Sequence, residues 1–218
     1  MDNKIRLLFS KTGKAIYMSH LDLMATMQRS LLRTGIKLQY SQGFNPHPVL
    51  SIALPLSVGY SSLCELIDFK TENYLLPDGL PDLINEKLPD GIKIIEAYIP
   101  LKKFNAIKWI QYEGKLYYNK IPDNITCHLA DRFSSDNIII HKKTKRGVTE
   151  INIAPHFRDM CYTDGETVTI SVKLSAQDPT INPGNLLSAL NGEYEKLLPE
   201  YCSFTRINAY DADLNIFK

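Results

Sequence analysis

The densest concentration of chemically capable side chains is the nonapeptide Tyr40-Ser41-Gln42-Gly43-Phe44-Asn45-Pro46-His47-Pro48. Its two prolines fix φ and remove amide donors, Gly43 permits a turn closed to other residues, and Asn45 before Pro46 is biased toward extended backbone. The side chains of Tyr40, Gln42, Phe44, Asn45 and His47 are therefore displayed with little conformational entropy left to lose. Gln and Asn amides read base edges, Tyr and Phe rings stack on bases, and an imidazole binds phosphate or carries a proton. The segment is thus a candidate recognition loop. The structural alternative is a tight connection whose polar groups satisfy its own backbone.

Three further groups invite a functional reading. His20 and Asp22 fall in the first turn of a predicted helix, where exposed amides attract anions, although Ser19 and Asp22 also form a plain capping arrangement. Arg29 and Arg33, one turn apart on the same helix, place two guanidinium groups where phosphates can dock; complementing the helix dipole is their structural role. Lys142, Lys143, Lys145 and Arg146 make a basic turn able to straddle a phosphate backbone, or simply to solvate a hairpin tip. His20 with His47 gives at most half of a metal site without ligand spacing, so no metal is expected.

Several chemistries lack their signatures. The chain has no Gly-x-Ser-x-Gly elbow and no glycine-rich phosphate loop of Walker or Rossmann type. Cys64, Cys127, Cys161 and Cys202 form no C-x-x-C pair, which speaks against a cysteine-bound cluster and suggests reduced, mostly buried thiols. No cofactor is expected. With 25 Lys plus Arg against 24 Asp plus Glu, no global field draws the protein to polyanions, so any nucleic-acid contact must come from local clustering. The charged first residues and the lack of a long apolar run point to a cytoplasmic protein with no membrane contact.

Stepping along the chain, alternating and helical periodicities predict which elements carry these groups. In the first half, strands are expected over 4–10, 15–18, 36–40, 49–54, 63–70 and 92–99, with helices from Ser19 to Gly35 and from Leu80 to Leu88. Leu21, Met24, Ala25, Gln28, Leu31 and Leu32 form the predicted buried stripe of the first helix. In the second half, strands over 107–111, 115–118, 138–141, 149–153, 167–174 and 203–210 accompany helices over 123–133 and 182–190, and Trp109 reads as core. Strand, helix, strands, helix, strand, twice over, predicts an α+β protein. It would have two tandem ferredoxin-like halves, residues 1–103 and 104–218, with antiparallel sheets and helices on one face.

The stretch Met18-Ser19-His20-Leu21-Asp22-Leu23-Met24, together with Arg33-Thr34-Gly35, Tyr40 to Pro48, Ser51, Ala53-Leu54-Pro55-Leu56 and Gly59, resembles the radical-SAM-linked protein family. Members are companions of, or extensions fused to, B12-binding radical-SAM proteins, and the family's activity is unassigned. The resemblance implies an accessory protein that supplies substrate binding or delivery, because the three-cysteine motif needed to generate a radical is missing here; together with the loop and basic side chains above, the leading expectation is a non-catalytic protein that binds RNA (tRNA or rRNA) for modification or processing. Two other readings are a module that docks a separate B12-binding radical-SAM protein and, from the presence of both histidines in the matched block alone, an enzyme that cleaves or modifies RNA with His20 or His47 as general base. Paired ferredoxin-like halves are also similar in architecture to CRISPR repeat-processing endonucleases and some pseudouridine synthases.

Overall fold

A computed structural model describes residues 3–72, 78–144 and 147–218. The chain divides into two compact units, Met1–Phe104 with Lys218, and Asn105–Phe217. Both are mixed α and β, with antiparallel sheets and few helices.

The first unit contains β1 (Lys4–Lys11), α1 (His20–Arg33), β2 (Leu50–Ile52), β3 (Ser61–Lys70), α2 (Leu80–Asn85) and β4 (Ile92–Tyr98). β1 pairs antiparallel with both β3 and β4, and β2 pairs antiparallel with β3, giving the order β4-β1-β3-β2. The period of two in β1 puts Ile5, Leu7 and Phe9 on one face. There they pack with Ile67 and Phe69 of β3, Leu23, Met27 and Leu31 of α1, and Leu80 and Ile84 of α2. Lys4 and Arg6 consequently point to the opposite face.

Helix α1 starts where Ser19 accepts a hydrogen bond from the Asp22 amide at 3.2 Å and donates its hydroxyl to the Asp22 carboxylate at 2.6 Å. The reciprocal bond of a capping box is replaced by this side-chain contact. The helix ends before Gly35, whose φ of 79° only glycine adopts without strain. Its buried face differs from the predicted stripe. Leu23, Met27, Ser30 and Leu31 are buried, whereas Leu21 is 78% and Leu32 41% exposed. Ser30 hides the true face from a hydropathy reading, because its hydroxyl is satisfied by the Lys87 carbonyl at 2.9 Å.

Two expected strands are also replaced. Residues Gly13–Tyr17 form a 3-10 helix, held by the buried Lys11 ammonium, which donates to the carbonyls of Ile16 and Met18. The segment 36–40 makes only isolated bridges, Leu38 to Thr71 and Tyr40 to Pro48, because prolines deprive it of a continuous partner.

The second unit contains β5 (Trp109–Tyr117), α3 (Ile125–Phe133), β6 (Ile139–Thr144), β7 (Gly147–Asn152), β8 (Phe157–Thr163), β9 (Val168–Ser175), α4 (Pro183–Ser188) and β10 (Tyr201–Tyr210). Antiparallel pairing gives the order β10-β5-β9-β8, and β6 pairs with β7 as a separate hairpin. The two short strands expected around Gly114 are one continuous β5. Gly114 is needed inside it because a Cβ there would overlap the Phe204 ring and approach Ile170 Cγ2 at 2.7 Å. β8 escapes sequence reading because its alternation is broken by a register shift between Arg158 and Cys161, with Asp159 at φ 50°. Trp109 lies half-buried near the Arg158 guanidinium rather than in the core, at 5.4 Å. The cysteines are free, but Cys64 alone is buried, with Cys127 and Cys161 exposed and Cys202 intermediate. Among the described residues, no helix is long and apolar enough to cross a membrane.

Candidate nucleic-acid interface

The Tyr40–Pro48 loop is a closed, internally braced projection. Its base is fixed by the Gln39 amide donating to the Lys70 carbonyl at 2.8 Å and the Val49 amide donating to the Gln39 carbonyl at 2.9 Å. Higher up, the Ser41 amide donates to the His47 carbonyl at 2.8 Å, and the His47 amide donates to Ser41 Oγ at 3.2 Å. His47 Nδ1 lies 3.0 Å from Ser41 Oγ and 3.2 Å from the Asn45 carbonyl. Whichever tautomer is present, the ring has a partner within the loop: the carbonyl accepts from a protonated Nδ1, and the hydroxyl donates to an unprotonated one. His47 is therefore a brace.

What remains free is the tip. Gln42, Phe44 and Asn45 are exposed, with Phe44 at 106% of its reference area, and Gly43 reaches φ 132° to place them. Among the described residues, neither Gln42 nor Asn45 makes a side-chain hydrogen bond. Tyr40, 43% exposed, adds a second ring at the base. Chemically, an exposed ring with amides on a rigid loop can stack on a planar group and hydrogen-bond to its polar edge.

The structure brings only part of the predicted set together. The loop springs from the end of the first sheet where β1 begins and β3 ends, as the Gln39–Lys70 bond and the Leu38–Thr71 bridge show. His20 and Asp22 follow the other end of β1, past Lys11, and the 14-residue α1 separates them from the loop by about 20 Å. By this path His20 and His47 belong to opposite ends of the first sheet, so each stands as a separate candidate base rather than as part of one group. Arg29 and Arg33 lie in the last turns of α1, at the end that leads into the loop, and both are exposed. In the second unit, Lys142 donates to the Thr180 carbonyl at 2.7 Å. Lys143 pairs with Val148 through its backbone in the hairpin, and Lys145 and Arg146 lie outside the described residues. Among the described residues, no three His, Cys, Asp or Glu side chains are grouped to hold a metal.

Sequence reading misses a charged cluster on the face of the first sheet opposite the helices. Arg6, 0% exposed, donates from Nε and Nη2 to the two Asp68 carboxylate oxygens at 2.7 and 3.0 Å, and from Nη2 to the Lys102 carbonyl at 2.9 Å. Its guanidinium carbon sits 4.3 Å from the centre of the Phe104 ring. Burial pushes the neighbouring Tyr98 phenol up to about 12, with the Arg6 charge pulling against that rise. Beside the cluster is a cavity of about 270 Å³ whose lining includes Lys4, Ser51, Asp68, Lys70, Lys103 and Phe104. Its one sequence signal is the strand period, which sends Lys4, Arg6, Asp68 and Lys70 to the same side.

A protein family described as "Uncharacterized protein conserved in bacteria (DUF2344)" matches residues 4–183. No curated protein matches the chain. Among solved structures, the fold is similar to that of a chain in the crystal structure of a Cbf5-Nop10-Gar1 complex, with a TM-score of 0.51 and 9% identity. The match covers 95% of this chain and 49% of that one, so this chain spans about half the length of its structural relative.

Proposed function

The chain belongs to the DUF2344 family, and we propose that it is an RNA-binding accessory protein that grips unpaired nucleotides at the loop end of its first unit. The observation that carries the reading is the fully exposed Phe44 on a loop braced by Ser41 and His47, with Gln42 and Asn45 unengaged beside it. A large ring held out to water by a rigid backbone has no role in the protein's own core, and it offers a π-face to any base. Arg29 and Arg33, on the adjoining end of α1, supply phosphate contacts that a chain of net charge +1 lacks elsewhere as a global field. The resemblance to radical-SAM-linked proteins supports placing this activity beside a B12-binding radical-SAM enzyme, to which the chain would deliver substrate. The orders β4-β1-β3-β2 and β10-β5-β9-β8 support reading the units as two ferredoxin-like repeats, the second interrupted by the β6–β7 hairpin.

The test is fluorescence anisotropy of a labelled RNA stem-loop at low and raised salt. Phe44→Ala should weaken binding by roughly 1–3 kcal/mol, the worth of one stacked base. Replacing Arg29 and Arg33 by alanine should flatten the salt dependence by a slope of about 1.4, two phosphates at about 0.7 each. No binding at either salt rejects the proposal. The exposed apolar residues Phe44 and Leu101 favour one other reading, a docking surface for a protein partner. In that case Phe44→Ala should abolish retention of the radical-SAM enzyme while the arginine substitutions leave it intact.

A further inference from the structure

We propose that the helix-free face of the second unit's sheet is a reading surface for a guanine base in single-stranded RNA. Helix α3 lies on the other side, where Tyr162 of β8 donates to the Leu129 carbonyl at 3.4 Å and the Phe133 ring meets Phe157 edge-on. The period of two then turns Glu113, Lys115 and Tyr117 of β5 outward, and all three are exposed. Strand register sets Tyr201 opposite Tyr117, Ser203 and Thr169 on either side of Lys115, and Thr205 and Ser171 on either side of Glu113. All of these but Tyr201 line a concavity of about 500 Å³, within the range of about 300–1,000 Å³ typical of small-ligand sites and roomy enough for one nucleoside.

Three features select the occupant. The first is the ring pair: Tyr117 and Tyr201, 37% and 62% exposed, hold their ring centres 5.5 Å apart with planes inclined by 37°. Among the described residues, neither phenol hydroxyl is hydrogen-bonded. A bare four-stranded antiparallel sheet that displays aromatic side chains binds single-stranded RNA by stacking its bases on the rings. The second feature is the floor. The outward positions flanking Lys115 and Glu113 carry only hydroxyls, one of which, on Ser171, accepts from the Gln111 amide at 3.4 Å. A protein partner needs an apolar centre, and this floor has none. The third is the charge pattern. Glu113 and Lys115 cancel, so the floor engages a ligand through base and sugar rather than through phosphate. The two side chains stand about 7 Å apart along the strand, and among the described residues neither makes a hydrogen bond or ion pair. A carboxylate accepts two parallel N–H bonds, and guanine offers them from N1 and N2 beside an O6 that accepts from an ammonium. The other three bases present edge donors from a single nitrogen.

This inference rests on the RNA reading given above but not on the loop that carries it. Phe44 offers a π-face that any base can use, whereas the Glu113–Lys115 pair distinguishes one base from the rest. Oligonucleotides of one length carry the same charge, so a preference among them reports the base contact and not the backbone.

Fluorescence anisotropy of the full chain with the labelled RNAs UUUGUUU, UUUAUUU and UUUIUUU, where I is inosine, which lacks the guanine N2 amino group, tests the site. The guanine oligomer should bind about ten-fold or more tighter than the adenine oligomer, with inosine between them. Glu113→Gln should erase the preference, Tyr117→Ala with Tyr201→Ala should weaken all three RNAs, and Phe44→Ala should leave the preference intact. Circular dichroism of each variant verifies folding, and a second readout needs no substitution at all. Alkylation of Cys161, which is exposed and lines the concavity, should slow when UUUGUUU is added, while the exposed Cys127 on α3 keeps its rate. The proposal is overturned if guanine is not preferred, if the preference follows Phe44 and not Glu113, or if the uncharged sugar maltoheptaose protects Cys161 where RNA does not. Dependence on Phe44 without dependence on Glu113 leaves the loop reading standing, and the reverse leaves the sheet site standing alone.

Discussion

Removing the Asp68 carboxylate is the sharpest test of how the first unit holds its outer face together. Asp68→Ala deletes both hydrogen bonds at 2.7 and 3.0 Å and leaves the Arg6 guanidinium, 0% exposed, without its counter-charge. Breaking a buried ion pair from one side typically costs about 3–5 kcal/mol, because the orphaned charge stays desolvated. Arg6 keeps the Lys102 carbonyl, the Phe104 ring and the Tyr98 hydroxyl, which draws the expected loss toward the lower bound of about 3 kcal/mol. Lys4 also loses a neighbour at 3.9 Å, but its side chain is 30% exposed and that contact adds at most about 1 kcal/mol. Hydrogen exchange read on peptides from β1 and β3 reports the opening free energy of this sheet directly. A loss of 3 kcal/mol appears there as roughly a hundred-fold drop in protection. Glu86→Ala, which removes an exposed pair with Lys87, should change protection little and serves as the control. The double replacement Arg6→Met with Asp68→Leu removes both charges and should recover most of the loss. Protection in Asp68→Ala within about 1 kcal/mol of the parent would refute the reasoning, since it would mean the guanidinium finds equivalent solvation elsewhere.

Further outcomes follow from the same physical arguments. Gly114→Ala places a methyl group against the Phe204 ring and Ile170 Cγ2, and should destabilise the second unit by about 1–3 kcal/mol in urea unfolding, with partial rescue by Phe204→Leu. Ser41→Ala removes the acceptor of the His47 amide and one of the two loop partners of its ring, leaving the Asn45 carbonyl; protein stability should fall by only about 1 kcal/mol, while RNA affinity falls because the loop is less pre-organised, as measured by the stem-loop anisotropy assay. Tyr98 should titrate near pH 12, visible as the difference in phenolate absorbance between the parent and Tyr98→Phe. Because the folded state holds this proton more tightly than the unfolded chain, the Tyr98 contribution to stability is fully present below about pH 10 and declines as pH rises toward 12.

How far the sequence carries can be judged element by element. β1, β4 and β9 are legible because one of their faces is buried and the period of two survives, as in Ile5, Leu7 and Phe9. The antiparallel α+β class follows from such strands alternating with capped helices. α1 is legible as a helix through Ser19 and Gly35, yet its rotation is not, because Ser30 is buried and Leu21 is exposed against their hydropathies. The Tyr40–Pro48 loop stands out from proline and glycine alone, but its tertiary neighbours do not, since which end of a helix a loop abuts depends on strand order. Strand order is what sets Arg33, rather than His20, at the end of α1 that leads into the loop. The Arg6–Asp68 pair is invisible locally: 62 residues separate the two, and each reads as an ordinary surface charge until β1 and β3 are set side by side.

The shortness of β2 has a consequence for how this protein behaves in a crowded solution. Only Leu50, Ser51 and Ile52 take part, Pro48 and Pro55 bracket them, and among the described residues they pair with β3 alone. A strand of three residues bounded by rings that lack amide hydrogens offers a stray chain almost no template on which to extend a ladder. The rigidity that sharpens the neighbouring loop as a probe also makes this border of the molecule a poor seed for self-assembly.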